Sequence, residues 1–351
     1  MKSEIVINFP PPKGSKTVIT IGKGKASRLV GRSKRAFIVA DKKVALLYPL
    51  LIPAERVFLM DGEESGKSFE GLKNLLEWLS GSKCDRGDTI IAVGGGAVGD
   101  VAGFAASAYM RGIGWSVVPT TLLSMIDSSI GGKTAINIGW VKNGAGSFHQ
   151  PERVVIDPSF LTSLQEREYL SGIGEVIKSA AIADRSLFEL LSVKRNKILE
   201  RDLAVMGDVI ASCCKHKGSI VSADPRDEKG RMALNAGHTL AHAIESDSGF
   251  AISHGQAVAI GLYYETLIGE RVQRCKKGTA AKIADLLALY NCPSSYCPVS
   301  MEKFLGWIRS DKKQRGESIY IPFIERIGKV TLKKVKLTVF DGIVRELFKT
   351  N

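Results

Sequence analysis

Residues 88–110 read DTIIAVGGGAVGDVAGFAASAYM, and this stretch decides the architecture. Asp88 to Val93 form a short run rich in β-branched and apolar residues, which reads as a buried strand. Gly94, Gly95 and Gly96 follow at once, and small residues then run at helical length to Met110. A strand that ends in glycines and opens a helix brings bare backbone N–H groups and the positive end of a helix dipole to one point. Such a turn suits a pyrophosphate, and it equally suits close packing of strand on helix. The spacing is not G-x-G-x-x-G and lies about ninety residues into the chain, so the glycines alone leave both uses open.

Working outward, residues 17–22, 36–40, 115–119 and 153–157 read as further β-branched strands, with helical patterns at 43–50 and 67–80 between the early ones. Strands alternating with helices predict parallel βαβ units and a Rossmann-like sheet. From Pro158 the period changes. Residues 163–191, 197–221, 237–246, 254–273 and 279–289 all follow helical spacing with no strand between them. The reading is α/β plus all-α: a Rossmann-like domain over 1–157, then a helical domain over 158–351, with the active site in the cleft between them.

A chain of 351 residues is too long for one core and suggests two domains. Its 44% apolar and 24% charged content is that of a globular protein. The first twelve residues contain no apolar signal core, and glycines and Asp100 interrupt the uncharged run at 91–110, so neither a signal peptide nor a membrane span is expected. The six cysteines lack C-x-x-C spacing and fit a reduced, cytoplasmic setting, with Cys213-Cys214 in a helical core. A net charge of +13 raises nucleic-acid binding. The basic residues are dispersed, however, without an aromatic-interleaved motif, and a doubly anionic small-molecule substrate accounts for part of the excess.

Of only five histidines, three fall within seventeen residues: His238, His242 and His254. Positions i and i+4 share one helical face, so His238 and His242 project together. Glu175, in Gly-Ile-Gly-Glu-Val-Ile-Lys, supplies a carboxylate. Two imidazoles and a carboxylate with a position left open make the ligand set of a catalytic metal. On spacing alone, His238 and His242 form the imidazole pair, as in H-E-x-x-H helices.

Residues 94–157, the segment SGIGEVIK, the spacing from Lys217 through Arg231 and Asn235 to His238, His242 and Glu245, the segment HGQAVAIGL and Asp311-Lys312-Lys313 together resemble the 3-dehydroquinate synthase family of sugar phosphate cyclases. The resemblance covers roughly residues 36–330, and so many motifs in one order and spacing are specific. It implies a shikimate-pathway lyase that converts 3-deoxy-D-arabino-heptulosonate 7-phosphate to 3-dehydroquinate and phosphate. NAD oxidises a secondary alcohol transiently, phosphate leaves by elimination, the hydride returns, and ring opening precedes an intramolecular aldol closure. NAD and one divalent ion, zinc or cobalt, are the implied cofactors, and a homodimer the implied assembly.

Residue by residue, the resemblance places the metal on Glu175, His238 and His254 and leaves His242 to the substrate. It assigns phosphate to Lys133, Asn143, Asn235 and His242, with Arg111 reaching in from a neighbouring subunit. Lys217, Arg231 and one lysine of the Lys312-Lys313 pair, taken as Lys313, match the carboxylate set, and Asp127 and Lys178 the hydroxyl contacts. For NAD it points to Asp41, Glu64, Lys67, Gly95, Gly96, Asp100, Thr120, Thr121 and Lys142, with Ser163 replacing a threonine. Two stretches depart from the family pattern: Asp41-Lys42-Lys43 stands where Thr-Asn or Asp-x-Asn is usual, and Ser163-Leu164-Gln165 where Thr-Leu-Pro is usual. Other cyclases share the NAD and metal motifs without the carboxylate requirement, and polyol dehydrogenases of similar fold lack the Gly-Gly-Lys-Thr and Lys-Asn elements.

Overall fold

A computed structural model describes residues 16–33, 35–52, 55–139, 141–227, 230–309 and 314–348. Six strands, β1 (Val18–Ile21), β2 (Ala36–Asp41), β3 (Val57–Met60), β4 (Thr89–Gly94), β5 (Gly114–Pro119) and β8 (Arg153–Ile156), form one parallel sheet in the order β1-β8-β5-β4-β2-β3. The central strands are apolar along nearly their whole length because helices cover both faces: Val39, Ile90, Ala92, Val93 and Val118 have no exposed surface. Helices α1 (Lys25–Arg32), α2 (Lys42–Leu47), α3 (Phe69–Gly81) and α4 (Gly96–Ala108) connect these strands. In α3, Ser68 caps the first turn by accepting the Gly71 amide, and Leu72, Leu75 and Leu79 recur on one buried face. Each of those leucines contributes about 2 kcal/mol by leaving water.

Strand order decides where the glycine turn lies. The connection after β2 runs outward to β3, whereas the one after β4 runs the other way to β5. The carboxyl ends of β2 and β4, at Asp41 and Gly94, therefore flank the crevice where open parallel sheets bind ligands. Between β5 and β8 an antiparallel hairpin, β6 (Lys133–Ile138) and β7 (Val141–Phe148), packs on α4. Sequence periodicity missed this hairpin, whose second strand is mostly exposed, and β3, which is only four residues long.

Beyond Ile156 the chain is helical as expected through α5 (Glu166–Ala183), α6 (Arg185–Val193), α7 (Arg195–Leu199), α8 (Leu203–Ala223), α9 (His238–Asp247), α10 (His254–Arg271), α11 (Thr279–Leu289) and α12 (Met301–Arg309). The all-helical expectation fails near the end. Strands β9 (Gln314–Arg315), β10 (Ser318–Arg326) and β11 (Lys329–Lys336) form an antiparallel sheet before α13 (Leu337–Leu347). Ile319, Ile321 and Phe323 alternate inward along β10, a period of two.

One hydrophobic core runs from the sheet through Leu122 and Met125 into α5, α8 and α11, so packing is continuous across residue 157. A second cluster joins α9, α10, α12 and α13 to β10. Cys213 and Cys214 are buried in the first, and burial pushes both thiols up to about 12, which makes them inert at neutral pH. Among the described residues no helix is long and apolar enough to cross a membrane.

Candidate active site

Three helices bring the ligand candidates together because glycines let their backbones touch. A Cβ on Gly255, at the start of α10, would lie 1.7 Å from the Ser171 carbonyl of α5, and one on Gly174 would lie 2.2 Å from the Gly255 carbonyl. Gly261 of α10 approaches Gly237, just before α9, as closely, with 2.0 Å from its Cβ position to the Gly237 carbonyl. Gly237 itself needs its left-handed φ of 82° to start α9 there. The result is a group of Glu175, His238 and His254 whose ligand atoms all lie within 4.8 Å of one another.

Within that group Glu175 Oε1 is buried and has no hydrogen-bond partner among the described residues. It stands 3.7 Å from His238 Nε2 and 3.5 Å from His254 Nε2. A bare buried carboxylate oxygen costs free energy unless a cation or donor meets it. The other nitrogens are engaged: His238 Nδ1 is 3.2 Å from the Ala236 carbonyl, and His254 Nδ1 is 3.4 Å from Glu245 Oε2. Both Nε2 atoms are thereby turned inward, the outer-shell arrangement that orients metal-bound histidines. Burial alone would raise the Glu175 carboxyl, yet Lys178, 2.5 Å from Oε2, and His254 outweigh it and hold it down at about 2. Burial likewise depresses the His254 imidazolium, but Glu175 and Glu245 override it and lift it to about 10. Two carboxylates around these imidazoles call for positive charge at their centre, so the donor set fits a divalent ion.

His242, which spacing alone paired with His238, is outside the group. Its ring stands 5.6 Å from that of His238 and is exposed. Sharing a helical face brings two side chains side by side, but only one of them points at α5 and α10. The start of α10 supplies the second imidazole instead.

Beside the triad lies a cluster of cations. Lys217 of α8 donates to the Asp127 carbonyl at 2.6 Å and to its carboxylate at 2.5 Å. Burial pushes the Lys217 ammonium down, and although Asp127 opposes this, Lys178 and Arg231 add to it. Arg231 is itself buried and also lowered by burial, donating to the carbonyls of Gly131, at 3.1 Å, and Pro225. Gly131 makes room for it: a Cβ there would lie 2.4 Å from the guanidinium, and φ is +105°. Lys133, at the start of β6, pairs with Asp227. Asn235 ends the short 3-10 turn that leads to His238. Lys313 lies outside the described residues.

On the sheet side, Gly95 caps α4 and Gly96 is its first residue; their amides open the helix at the crevice. A Cβ would lie 3.2 Å from Thr121 at Gly95 and 3.1 Å from Ser128 at Gly96. Thr120 is buried beside them, and Thr121 is fixed by Ser124 Oγ, 2.8 Å from its hydroxyl. Asp41 caps α2 by accepting the Lys43 amide at 2.8 Å. Lys67, buried, bonds Asp100 at 2.7 Å and Asn143 Oδ1 at 2.6 Å. Burial raises Asp100 to about 6 in spite of Lys67. Glu64 and Lys67 line a cleft of about 610 Å³ that also takes in Ser68, Phe69, Asn137 and Gly139. Lys142 reaches Glu245 at 3.6 Å and lies over the Phe250 ring. Ser163, after β8, is held by the Tyr48 hydroxyl at 2.7 Å. Arg111 is exposed at the opposite end of α4 from Gly96.

Glu245, Asn137 and Asp227 were not singled out from sequence, although each contacts a residue that was. Glu245 sits in the same motif as the histidines, one helical turn past His242, and that spacing was the available signal.

The parallel sheet with a glycine turn at its crevice, followed by a helical part, is a fold shared by solved sugar phosphate cyclases and by dehydrogenases and reductases such as a sulfoacetaldehyde reductase. In solved structures the chain superposes on 2-epi-5-epi-valiolone synthase from Streptomyces hygroscopicus subsp. jinggangensis 5008, with NAD+ and Zn2+ bound, at a TM-score of 0.86 and 22% identity, covering 98% of this chain and 99% of that one. A 2-deoxy-scyllo-inosose synthase complexed with carbaglucose-6-phosphate, NAD+ and Co2+ gives 0.83 and 25%, covering 93% and 96%. Residues 57–171 match the 3-dehydroquinate synthase N-terminal family model, and residues 172–314 the C-terminal one. A 3-dehydroquinate synthase of Clostridium kluyveri is 42% identical over 92% of this chain and 91% of its own length. One of Sulfurisphaera tokodaii is 37% identical over 93% and 95%. The chain belongs to the 3-dehydroquinate synthase family.

Proposed function

We propose that this chain converts 3-deoxy-D-arabino-heptulosonate 7-phosphate to 3-dehydroquinate and inorganic phosphate, with one divalent ion on Glu175, His238 and His254 and NAD at the glycine turn. The observation that carries the reading is the bare Glu175 oxygen facing two inward-turned imidazoles beside a group of cations. When bound, the ion would supply Lewis acidity to the hydroxyl to be oxidised and NAD a reversible hydride acceptor, so the reaction would have no net redox change.

The chain's own residues do the rest. Lys217 and Arg231, whose charges burial disfavours, gain a counter-ion when the substrate carboxylate arrives. Lys178 and Asp127 contact hydroxyls, and Lys133, Asn143, Asn235 and His242 hold the phosphate, with Lys313 completing the carboxylate side. Gly95, Gly96, Thr120, Thr121, Asp100, Glu64, Lys67, Asp41, Lys142 and Ser163 form the cofactor side. A carboxylate clamp distinguishes this substrate from those of cyclases that act on sugar phosphates without a carboxylate.

The reading extends to a cytoplasmic homodimer divided into domains near residue 157. In this reading Arg111, exposed in the turn that follows α4, serves the site of the other subunit. A second copy is the fitting recipient of its charge. Purified protein should release phosphate from the heptulosonate phosphate with catalytic NAD and a divalent metal, and no NADH should accumulate. Stoichiometric NADH would instead indicate a polyol dehydrogenase. Mixing inactive Arg111→Ala and Lys133→Ala chains should restore one intact site per mixed dimer; mixed dimers that form and stay inactive refute the shared site.

A further inference from the structure

Between the cleft and the hairpin, four side chains close a ring. Asn137 Nδ2 donates to Glu64 Oε1 at 2.8 Å, and Asn137 Oδ1 accepts the Asn143 backbone N–H at 2.8 Å. Asn143 Oδ1 accepts from the Lys67 ammonium at 2.6 Å, and that ammonium stands 3.8 Å from Glu64 Oε1. The Asn137 backbone N–H adds a bond to the Lys67 carbonyl at 2.8 Å.

Chemistry settles both amide orientations. A backbone N–H only donates and a carboxylate only accepts, so Asn137 fits in one flip. An ammonium also only donates, so Asn143 must turn its oxygen to Lys67 and its NH2 away. Asn143 meanwhile holds a left-handed φ of 52°, a conformation that needs support from its surroundings. Asn137 supplies that support through the Asn143 N–H, while its own amide group is fixed by Glu64.

We propose that Asn137 is a positioning residue that couples occupancy of the cofactor site to occupancy of the phosphate site. The inference rests on the reading above, in which Glu64 and Lys67 face the nucleotide and Asn143 the phosphate. A ligand that fixes Glu64 and Lys67 orders the ring, and through Asn137 it orders the Asn143 backbone. Asn143 then presents its NH2 to an anion with less entropy left to lose, and by linkage the effect runs equally in reverse.

The test needs no turnover. NAD+ is titrated calorimetrically into the metal-loaded protein with and without saturating inorganic phosphate. Wild type should bind NAD+ about fivefold or more tightly in the presence of phosphate, and Asn137→Ala should reduce that ratio to under about twofold. A merely structural loss would weaken both ligands and leave the ratio intact. Phosphate should bind the Asn137→Ala/Asn143→Ala protein no more weakly than Asn143→Ala alone, as expected when one residue acts through the other. If Asn137→Ala melts below the assay temperature, Asn137→Ser serves, since its hydroxyl cannot span Glu64 and Asn143. A ratio near one in wild type, or a ratio retained in the variants, overturns the coupling. Wild type that couples the two ligands but does not turn over the heptulosonate phosphate overturns only the functional reading.

Discussion

Around Glu175, His238 and His254 the helices meet backbone to backbone through glycines, whereas around Lys67, Lys133 and Lys142 the chain is held by long charged side chains paired to Asp100, Asp227 and Glu245. The first region is fixed by backbone contacts, with Glu175 buried at its base and His254 partly exposed at its mouth. In the second, Lys133 and Lys142 are half exposed, and their ion pairs can be exchanged for a ligand's charges. In the proposed function a metal takes fixed donors, and the anionic substrate and cofactor take cations that can change partners. The two packing styles suit those roles.

The sharpest way to break the contrast is at the triad. His254→Ala should lose stoichiometric metal and at least about 10³-fold in turnover, since Lewis-acid help is worth several kcal/mol. His242→Ala should keep the metal and lose rate only. Metal analysis of both proteins decides, and metal retained in His254→Ala would remove that residue from the ligand set.

On the cation side, Arg231→Ala should cost about 2–5 kcal/mol in kcat/KM, the usual loss when one partner of a buried charge pair is truncated. A substrate analogue without the carboxylate should lose little more on going from wild type to variant. An equal loss for both substrates would assign Arg231 to structure alone.

Gly255→Ala probes the backbone contact itself. With the Ser171 carbonyl 1.7 Å from the new methyl position, helices α5 and α10 must separate, at about 3 kcal/mol. Chemical denaturation should register that cost, together with weakened metal binding. An unchanged midpoint would mean that the crossing is more yielding than its glycines suggest.

The smallest effect is expected at the rim of the helical half. Asp184 caps α6 and accepts from Ser186, Ser212 and His216. Burial would raise its carboxyl, but these bonds and the Leu187 amide hold it below the usual carboxylate range. Because the folded value is depressed, its stabilisation is complete above the unfolded value of about 3.9 and is lost as pH falls through the folded value. Asp184→Ala should cost about 1 kcal/mol at neutral pH, as lost caps do. Asp184→Asn should flatten the acid limb of stability below about pH 4, read as urea midpoints at two pH values.

Sequence alone determined what local spacing encodes. The strand, glycine turn and helix at 88–110 were legible because β-branched runs, glycines and helical periods are properties of neighbouring residues. So were the helices of the second half and the residue types able to hold a metal. The hairpin at 133–148 was missed because pairing and packing on α4 stabilise it, whereas β10 does carry a period-two run at Ile319, Ile321 and Phe323 that the helical reading of the second half passed over. Tertiary structure supplied the physical reason the imidazoles converge. Spacing alone paired His238 with His242, the family resemblance named His254 instead, and the glycine crossings of α5, α9 and α10 are what bring His254 in and leave His242 out. Glu245 behind His254, and Asn137 between Glu64 and Asn143, became visible in the same way. A hydrogen bond of 2.8 Å between residues 73 positions apart depends on how whole elements pack, and no local pattern records that distance.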